Sequence, residues 1–221
     1  MDWFPLILSI KVATISAIFA ALIGVPLGRM MSRKNFHGKD ALEALLLLPM
    51  VLPPSVLGYM LLMLLGKYGP VGSFLIDHGI NIIFTQAAAV IAATIVALPL
   101  MYQNAKGAFS QIDTNLESAA RTLGASEIRV FGTISLPLAF PGLMAGFVLA
   151  FTRGLGEFGA TMMVAGNIPG RTQTIPLAIY FAVDAGKSSY AAKLVLIVTV
   201  FSFLVILWSN WWVRRYNIKG R

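Results

Sequence analysis

Long apolar stretches alternate with short polar segments along the 221 residues of the chain. Five stretches, at about 11–30, 43–65, 83–104, 138–163 and 191–213, carry almost only apolar side chains. Each approaches or exceeds the roughly 20 residues that an α-helix needs to cross a hydrocarbon core of about 30 Å. The pattern predicts an all-α integral membrane protein with about five transmembrane helices, and residues 1–221 are expected to form a single transmembrane domain.

The composition agrees with that prediction. Hydrophobic residues make up 57% of the chain and charged residues 12%, whereas a soluble domain has about 25% charged residues. The chain has no cysteine, which excludes disulfides and thiolate chemistry. Neither a Ser-His-Asp set, nor metal-ligand spacing, nor a P-loop (Gly-x4-Gly-Lys-Ser/Thr) occurs. We therefore expect no enzyme, no metal and no cofactor, and any ATP hydrolysis must come from another chain.

The basic residues lie at the ends of the apolar stretches. Segments 29–40, 105–133 and 214–221 hold four, three and four Lys or Arg, whereas segments 66–82 and 166–190 hold one and two. Positively charged residues stay on the cytoplasmic side. The distribution predicts that the 105–133 loop and the C-terminus are cytoplasmic and that the N-terminus lies outside. The net charge of +8 is therefore explained by membrane orientation and does not indicate nucleic acid binding.

The polar segment between the third and fourth stretches contains a predicted short helix. Thr114 and Glu117 have capping-box spacing, and Gly124 stands where a left-handed C-terminal cap is needed, which leaves about nine helical residues. Apolar residues recur at helical spacing and predict one apolar face: Phe109, Ile112, Leu116, Ala119 or Ala120, and Leu123. The pattern alone fits either a helix resting on lipid headgroups or a helix that docks on a partner.

Two further stretches are unusual for plain lipid-facing helices. The second span is expected to break at its prolines, Pro49, Pro53 and Pro54. Such a break is either an ordinary packing kink or a feature of a helix that lines a pathway. Deep in the fourth span, Arg153 and Glu157 lie four residues apart and are expected to pair on one helical face. Such a pair is either structural or part of a gate for an anion.

Smaller signals concern the outer and C-terminal segments. Thr174 and Pro176 fit the start of a short helix over residues 177–183. Four aromatic residues beside the terminal arginines are typical of an interfacial anchor: Trp208, Trp211, Trp212 and Tyr216.

The polar loop resembles a known signature. The spacing Glu-x-Ala-Ala-x3-Gly-x9-Ile-x-Leu-Pro, from Glu117 to Pro137, resembles the cytoplasmic loop of bacterial ABC importer permeases. The resemblance implies a type I importer permease architecture in which a coupling helix docks on an ATPase dimer. The residues that it assigns to this coupling are Glu117, Ala119, Ala120, Arg121 and Gly124.

The rest of the chain narrows the resemblance. Residues 48–59, the run Glu157-Phe158-Gly159-Ala160-Thr161 and the run 167–170 resemble molybdate permeases, whereas sulfate permeases tend to have Glu-Tyr-Gly in place of Glu-Phe-Gly. The resemblance implies a homodimer in the bacterial cytoplasmic membrane, served by an extracytoplasmic molybdate-binding protein. The expected pathway and gate residues are Arg153, Gly156, Glu157, Phe158, Gly159 and Thr161.

Alternatives remain at this stage. A sulfate or tungstate permease would share the same architecture. A channel or scaffold that uses no ATPase would belong to a different class, and an intramembrane enzyme is disfavoured because no catalytic constellation occurs. Some family members carry an additional N-terminal span, and none is expected here.

Overall fold

The computed structural model describes the backbone of residues 2–219 and the side chains of residues 2–209 and 211. Secondary structure in this part of the chain is entirely helical. The helices are α1 (Phe4–Arg33), α2 (Lys39–Val51), α3 (Pro54–Leu65), α4 (Pro70–Asp77), α5 (Gln86–Ser110), α6 (Thr114–Thr122), α7 (Glu127–Val130), a π-helical segment (Phe131–Ser135), α8 (Leu136–Leu155), α9 (Gly159–Ala165), α10 (Ile175–Asp184) and α11 (Ser188–Lys219).

Four or five membrane spans account for most of these helices. Helices α1, α5 and α11 and the continuous run from α7 through α8 are each long and apolar enough to cross a membrane. Helices α2 and α3 meet the same criterion only as a pair with a bend of 113° between them, which is the geometry of a broken span or of a re-entrant loop. The predicted all-α fold with about five spans is confirmed.

Two predicted boundaries were wrong. The first helix begins at Phe4 and not near residue 11, because Pro5 in its first turn suits a helix start. The fourth span ends at Leu155 instead of continuing to residue 163. A short break at 156–158 separates it from α9.

Proline breaks the second span as the sequence predicts. Leu52 and Pro53 are extended, with ψ of 140° and 137°, and Pro54 is the first residue of α3. A proline has no amide hydrogen and excludes the residue before it from helical geometry, so the helix must restart. By contrast, Pro49 lies inside α2 and Pro99 inside α5 without interrupting either helix.

Small residues bring α1, α5 and α8 into close contact at the centre of the fold. A Cβ atom on Gly28 of α1 would lie 2.7 Å from the Cβ of Ala105 in α5, and one on Gly142 of α8 would lie 2.7 Å from that of Ala108. Small side chains let membrane helices approach until their backbones nearly touch, which gives extensive dispersion contact. Helix α1 also packs directly on α8, because a Cβ atom on Gly154 would lie 2.7 Å from the Ser16 hydroxyl oxygen.

The shorter helices are fixed in a similar way. A Cβ atom on Gly159 of α9 would lie 2.7 Å from the Cβ of Pro54, so α9 packs directly on the break between α2 and α3. Helix α10 follows Thr174, as predicted, and its first amide donates to the Ser9 hydroxyl of α1 at 2.7 Å. At the C-terminus, Trp208 and Trp211 are about half exposed. The side chains of the other two predicted anchors, Trp212 and Tyr216, lie outside the described residues.

Candidate functional site

Helix α6 has the nine residues that the sequence predicts. Its cap differs from the prediction: the Asp113 carboxylate accepts a hydrogen bond from the Asn115 amide at 2.8 Å, and Thr114 is already helical. The predicted capping box of Thr114 and Glu117 is therefore wrong. Past the other end, Gly124 has a φ of +82°, so the predicted left-handed cap is confirmed.

Glu117 points into the protein. Its side chain is 3% exposed, and Oε1 accepts hydrogen bonds from Arg29 Nη1 at 2.8 Å, from Arg33 Nη2 at 3.2 Å and from Ser135 Oγ at 2.8 Å. The two guanidinium groups come from the end of α1, and Ser135 ends the π-helical segment before α8. The capping box fails because these charged donors bind the carboxylate more strongly than a first-turn amide would.

The charge of Glu117 is stable in this environment. Burial would raise the pKa of its carboxyl group, but the hydrogen bonds from Arg29 and Ser135 and the positive charges of Arg29 and Arg33 outweigh that effect. The pKa of Glu117 is therefore lowered from its ordinary value. Because hydrogen bonds to the charged form favour ionisation, the carboxylate keeps its negative charge at neutral pH.

These bonds connect α6 to two membrane spans. Arg33 Nη2 also donates to the carbonyl oxygen of Ile112, just before α6, at 3.0 Å. The start and the middle of α6 are thus both fixed to the end of α1, and Ser135 extends the connection to α8. A displacement of α6 must therefore move α1 and α8 with it, or break a buried ionic network.

The opposite face of α6 is apolar and uncovered. Leu116 is 49% exposed and Leu123 is 88% exposed, with Ala119 exposed between them. Phe109 and Ile112 are buried in α5 and the following loop, so the prediction that they share this face was wrong. Leu116 and Ala119 of α6 and Leu123, the residue that caps it, recur at helical spacing, and the described chain leaves their face free for a partner.

The remaining predicted coupling residues lie around this face. Ala120 is partly buried, and Arg121 forms two hydrogen bonds with Glu127 of α7, at 2.5 and 3.1 Å. Arg121 also lies 3.7 Å from Glu117. The structure therefore groups all five predicted coupling residues on α6 and its cap, with Glu117 on the inner side.

A second ionic site lies at the far end of α8. Arg153 Nη1 donates to Glu157 Oε2 at 2.8 Å, and the Glu157 side chain is 1% exposed. The predicted pairing is confirmed, but the two residues do not share a helix. Glu157 lies in the break after α8, and its Oε1 accepts from the Ala160 amide of α9 at 2.8 Å. By satisfying this first-turn amide, the carboxylate stabilises a new helix start, which is why the span does not continue.

The other predicted gate residues surround this pair. Gly156 is exposed and Thr161 is buried, and the Phe158 ring lies 5.3 Å from that of Tyr180 in α10. A groove of about 710 Å³ opens between α8, α10 and α11, and Gly156 and Phe158 belong to its mainly apolar lining. We call it the gate groove. The structure thus brings all six predicted gate residues to one end of α8.

Sequence reasoning missed the partners of Glu117. Arg29 and Arg33 were counted only as topology determinants, and Ser135 was not considered. One signal was present: two arginines four residues apart at a helix end share a face and can hold one carboxylate between them.

Several apolar spans, the bent α2–α3 pair and a short polar helix held at the ends of α1 and α8 fit the membrane-embedded subunit of a transporter. The chain belongs to the family described as the binding-protein-dependent transport system inner membrane component, which matches residues 24–218. Its fold is that of a type I ABC importer permease.

Named relatives cover nearly the whole chain. YvgM of Bacillus subtilis is 47% identical over 205 residues, which is 91% of this chain and 89% of the relative. The molybdenum transport system permease protein ModB of Escherichia coli K12 is 43% identical over 96% of this chain and 94% of its own length. ModB of Haemophilus influenzae is 42% identical over 96% of this chain and 93% of its own length.

Solved structures support the same fold at lower sequence identity. The chain resembles a subunit of the MetNI methionine ABC transporter in an inward-facing conformation, with a TM-score of 0.73 at 18% identity over 98% of this chain and 99% of that subunit. It also resembles a chain of a bacterial alginate ABC importer, with a TM-score of 0.73 at 17% identity over 95% of this chain and 79% of the other.

Proposed function

We propose that the chain is the permease subunit of an ATP-binding-cassette importer that moves molybdate across the bacterial cytoplasmic membrane. The assignment of molybdate as the substrate rests on the similarity to the ModB relatives, which are 42% and 43% identical over nearly the full length. It also rests on the run Glu157-Phe158-Gly159, which carries Phe where sulfate permeases tend to have Tyr. In this proposal the permease catalyses no chemical step, and a separate ATPase supplies the energy.

The observation that carries the mechanism is the two-sided character of α6. One side is fixed to α1 and α8 through Glu117, and the other presents Leu116, Ala119 and Leu123 without a cover. We propose that this apolar face binds in a cleft of the ATPase, where it would be removed from water. Closure of the ATPase dimer on ATP would then shift α6 and rotate the spans attached to it.

The proposed orientation puts α6 and the C-terminus in the cytoplasm and the N-terminus outside. It rests on the excess of Lys and Arg in the segments near α6 and at the C-terminus. The gate groove then opens toward the outside, where a molybdate-binding protein delivers the anion. Two permeases around a central axis are proposed to enclose the pathway, because five spans are few to surround a pore and homodimers with two-fold symmetry are the commonest assemblies.

Reconstitution tests the proposal. The purified permease, its cognate ATPase and the binding protein would be placed in liposomes, and molybdate uptake measured with and without ATP. Uptake that needs all three proteins and ATP supports the proposal. Competition by tungstate and sulfate then identifies the preferred oxyanion.

Two outcomes would contradict parts of the proposal. Transport that persists without the ATPase would favour a channel. Stronger uptake of sulfate than of molybdate, with a binding protein that accepts both, would support an ABC importer but contradict molybdate as its substrate.

A further inference from the structure

One face of α8 remains uncovered along the length of the helix. The adjacent face is buried against α1 and α5, through residues that include Ala139, Leu143, Gly146 and Ala150. The uncovered face consists of residues spaced by three, four or seven positions that are exposed or partly exposed: Leu138, Ala145, Leu149, Thr152 and Gly156. This spacing follows one side of an α-helix.

Two grooves open on this face, one at each end. Thr152 and Gly156 line the gate groove, whereas Leu138, Gly142 and Ala145 line a second groove of about 860 Å³ between α8, α5 and α6. We call the second one the amide groove. One helix face therefore runs from the end where α6 lies to the end where Arg153 and Glu157 lie.

The amide groove is more polar than the gate groove because of residues at and just after the end of α5. Gln103, Asn104 and Gln111 of this region line it, beside Gly107. The Asn104 Nδ2 group donates one hydrogen bond to the Leu100 carbonyl at 2.8 Å, and within the described residues no other side-chain hydrogen bond engages these three amides. Its lining includes no Lys or Arg. The single carboxylate at its edge, Asp113, already accepts from Asn115.

Gln103 and Asn104 lie within α5, which is long and apolar enough to cross a membrane, whereas Gln111 follows its last residue. Gln103 precedes the end of α5 at Ser110 by seven residues, or roughly 10 Å at the rise of an α-helix. A Cβ atom on Gly146, ten residues into α8, would lie 2.7 Å from the Cβ of Asn104, so Asn104 packs directly on a second apolar span. Lipid tails cannot satisfy amide groups, so a groove that exposes them must be filled with water or lie against protein.

We propose that the amide groove is the cytoplasmic half of the translocation pathway, and that Gln103 and Asn104 hydrogen-bond a partly hydrated tetrahedral dianion as it passes. This inference rests on the proposed function. Neutral amide donors suit such a step, because an anion must be attracted enough to enter and held weakly enough to leave. A lysine or arginine in the same place would retain a dianion instead of releasing it.

Cysteine accessibility tests the location. The natural chain has no cysteine, so Gln103→Cys and Asn104→Cys each introduce a single reactive group. In inside-out vesicles that contain the assembled importer, a membrane-impermeant thiol reagent should modify both variants. Leu22→Cys is the control that should label slowly. Leu22 is 65% exposed on the apolar helix α1, so we expect it to face lipid, and it lies two residues before the Gly24 contact with α5.

Nucleotide provides a second readout of location. A non-hydrolysable ATP analogue that closes the ATPase dimer should slow the labelling of residues 103 and 104, because the pathway then closes toward the cytoplasm. Labelling of Gln111→Cys, just past the end of α5, should change less. Labelling of residue 103 that is as slow as that of residue 22 in every state would overturn the proposal.

A charged side chain at position 103 tests whether the amides contact the passing anion. Gln103→Glu should lower the molybdate transport rate by about tenfold or more, since a like charge beside a dianion raises the barrier to its passage. Gln103→Ser, which keeps a neutral polar group, should lose less transport than Gln103→Glu. Equal transport by both would refute the role of the amides, whereas failure of the natural sequence to take up molybdate in the same vesicles would refute the proposed function instead.

Discussion

The carboxylate of Glu117 accepts a hydrogen bond from Arg29 at 2.8 Å, across 88 positions of sequence. Glu117 belongs to the helix proposed to dock on the ATPase, and Arg29 belongs to the first membrane span. Because the Glu117 side chain is 3% exposed, it faces the permease and not a partner. In the proposed mechanism, Glu117 would therefore act on coupling through the position of α6.

Removal of the Glu117 carboxylate should destabilise the permease. In Glu117→Ala, Arg29 and Arg33 would face each other without a counter-charge. Loss of one partner of a buried ion pair costs about 3–5 kcal/mol, and the cost here should fall at the lower end because both arginine side chains remain 18% exposed. The thermal unfolding midpoint in detergent measures the change.

Glu127→Ala is the matched control for that variant. The Glu127 side chain is 72% exposed and also pairs with an arginine, so its loss should destabilise the permease far less than the loss of Glu117, because solvent screens the exposed pair. Equal losses of stability in Glu117→Ala and Glu127→Ala would mean that the network around Glu117 does not hold α6 in place.

Low pH should remove the stabilisation by the Glu117 carboxylate from the natural chain. The pKa of Glu117 is lowered on folding, so its carboxylate stabilises the folded state fully above the ordinary pKa of about 4.5. This contribution is lost as the pH falls through the lowered folded-state pKa. The stability difference between the natural chain and Glu117→Gln should therefore be constant near neutral pH and shrink below about pH 4.5. Unfolding midpoints of both proteins against pH check this sign.

Gly124→Val should uncouple ATP hydrolysis from uptake. Its φ of +82° costs a side chain roughly 1–2 kcal/mol, so α6 would end differently and present Leu123 in another direction. Gly124→Asn should be milder, because asparagine tolerates this conformation. The ratio of ATP hydrolysed to molybdate transported measures coupling.

Gly132→Val is the control for the effect of size in that series. Gly132 lies in the π-helical segment, has no positive φ, and a Cβ atom there would meet no atom within 4 Å. It should keep its coupling ratio. A normal ratio in Gly124→Val at normal expression would remove the Gly124 cap from the coupling mechanism.

The sequence predicted local features well, because each depended on neighbouring residues. The break after Pro53 follows from proline itself, and the left-handed Gly124 follows from the freedom of glycine. The length of α6 was also correct. These features need no knowledge of what lies elsewhere in the fold.

Features that depend on distant residues were not predictable in the same way. Glu117 had a plausible local role in a capping box, but Arg29 and Arg33 arrive from α1 and offer stronger donors. Phe109 fits the periodicity of the α6 face, yet α5 continues through it and buries it. In both cases, tertiary contacts decided between two locally acceptable arrangements.

The close approach of α1 to α5 should be sensitive to a single methyl group. Gly28→Ala would place a Cβ atom 2.7 Å from both the Ala105 Cβ and the Lys106 backbone nitrogen. Overpacking of this kind costs about 1–3 kcal/mol. Gly107→Ala on α5 meets nothing within 4 Å and should be neutral or slightly stabilising, because alanine favours helix over glycine. Unfolding midpoints that fall equally in both variants would contradict the packing.

Loss of Arg153 and loss of Glu157 should lower the stability of the permease by different amounts. Arg153→Met leaves a carboxylate that is 1% exposed, with the Ala160 amide as its one remaining hydrogen-bond donor among the described residues, whereas Glu157→Gln leaves an arginine that is 34% exposed and can reach water. An unpaired buried charge is the costlier defect. Arg153→Met should therefore lower the unfolding midpoint more than Glu157→Gln, and equal midpoints would show that burial does not decide the effect.

The double variant Arg153→Met with Glu157→Met separates structure from transport. It removes both charges, so no unpaired ion remains, although α9 loses the acceptor for its Ala160 amide at the cost of about 1 kcal/mol. If the pair only holds the break after α8, the double variant should transport better than Arg153→Met alone. If Arg153 attracts the incoming anion, the double variant should be as stable as Glu157→Gln and still transport poorly at low molybdate concentration. Uptake rates over a range of molybdate concentrations distinguish the two, because loss of attraction raises the half-saturating concentration whereas loss of structure lowers the maximal rate.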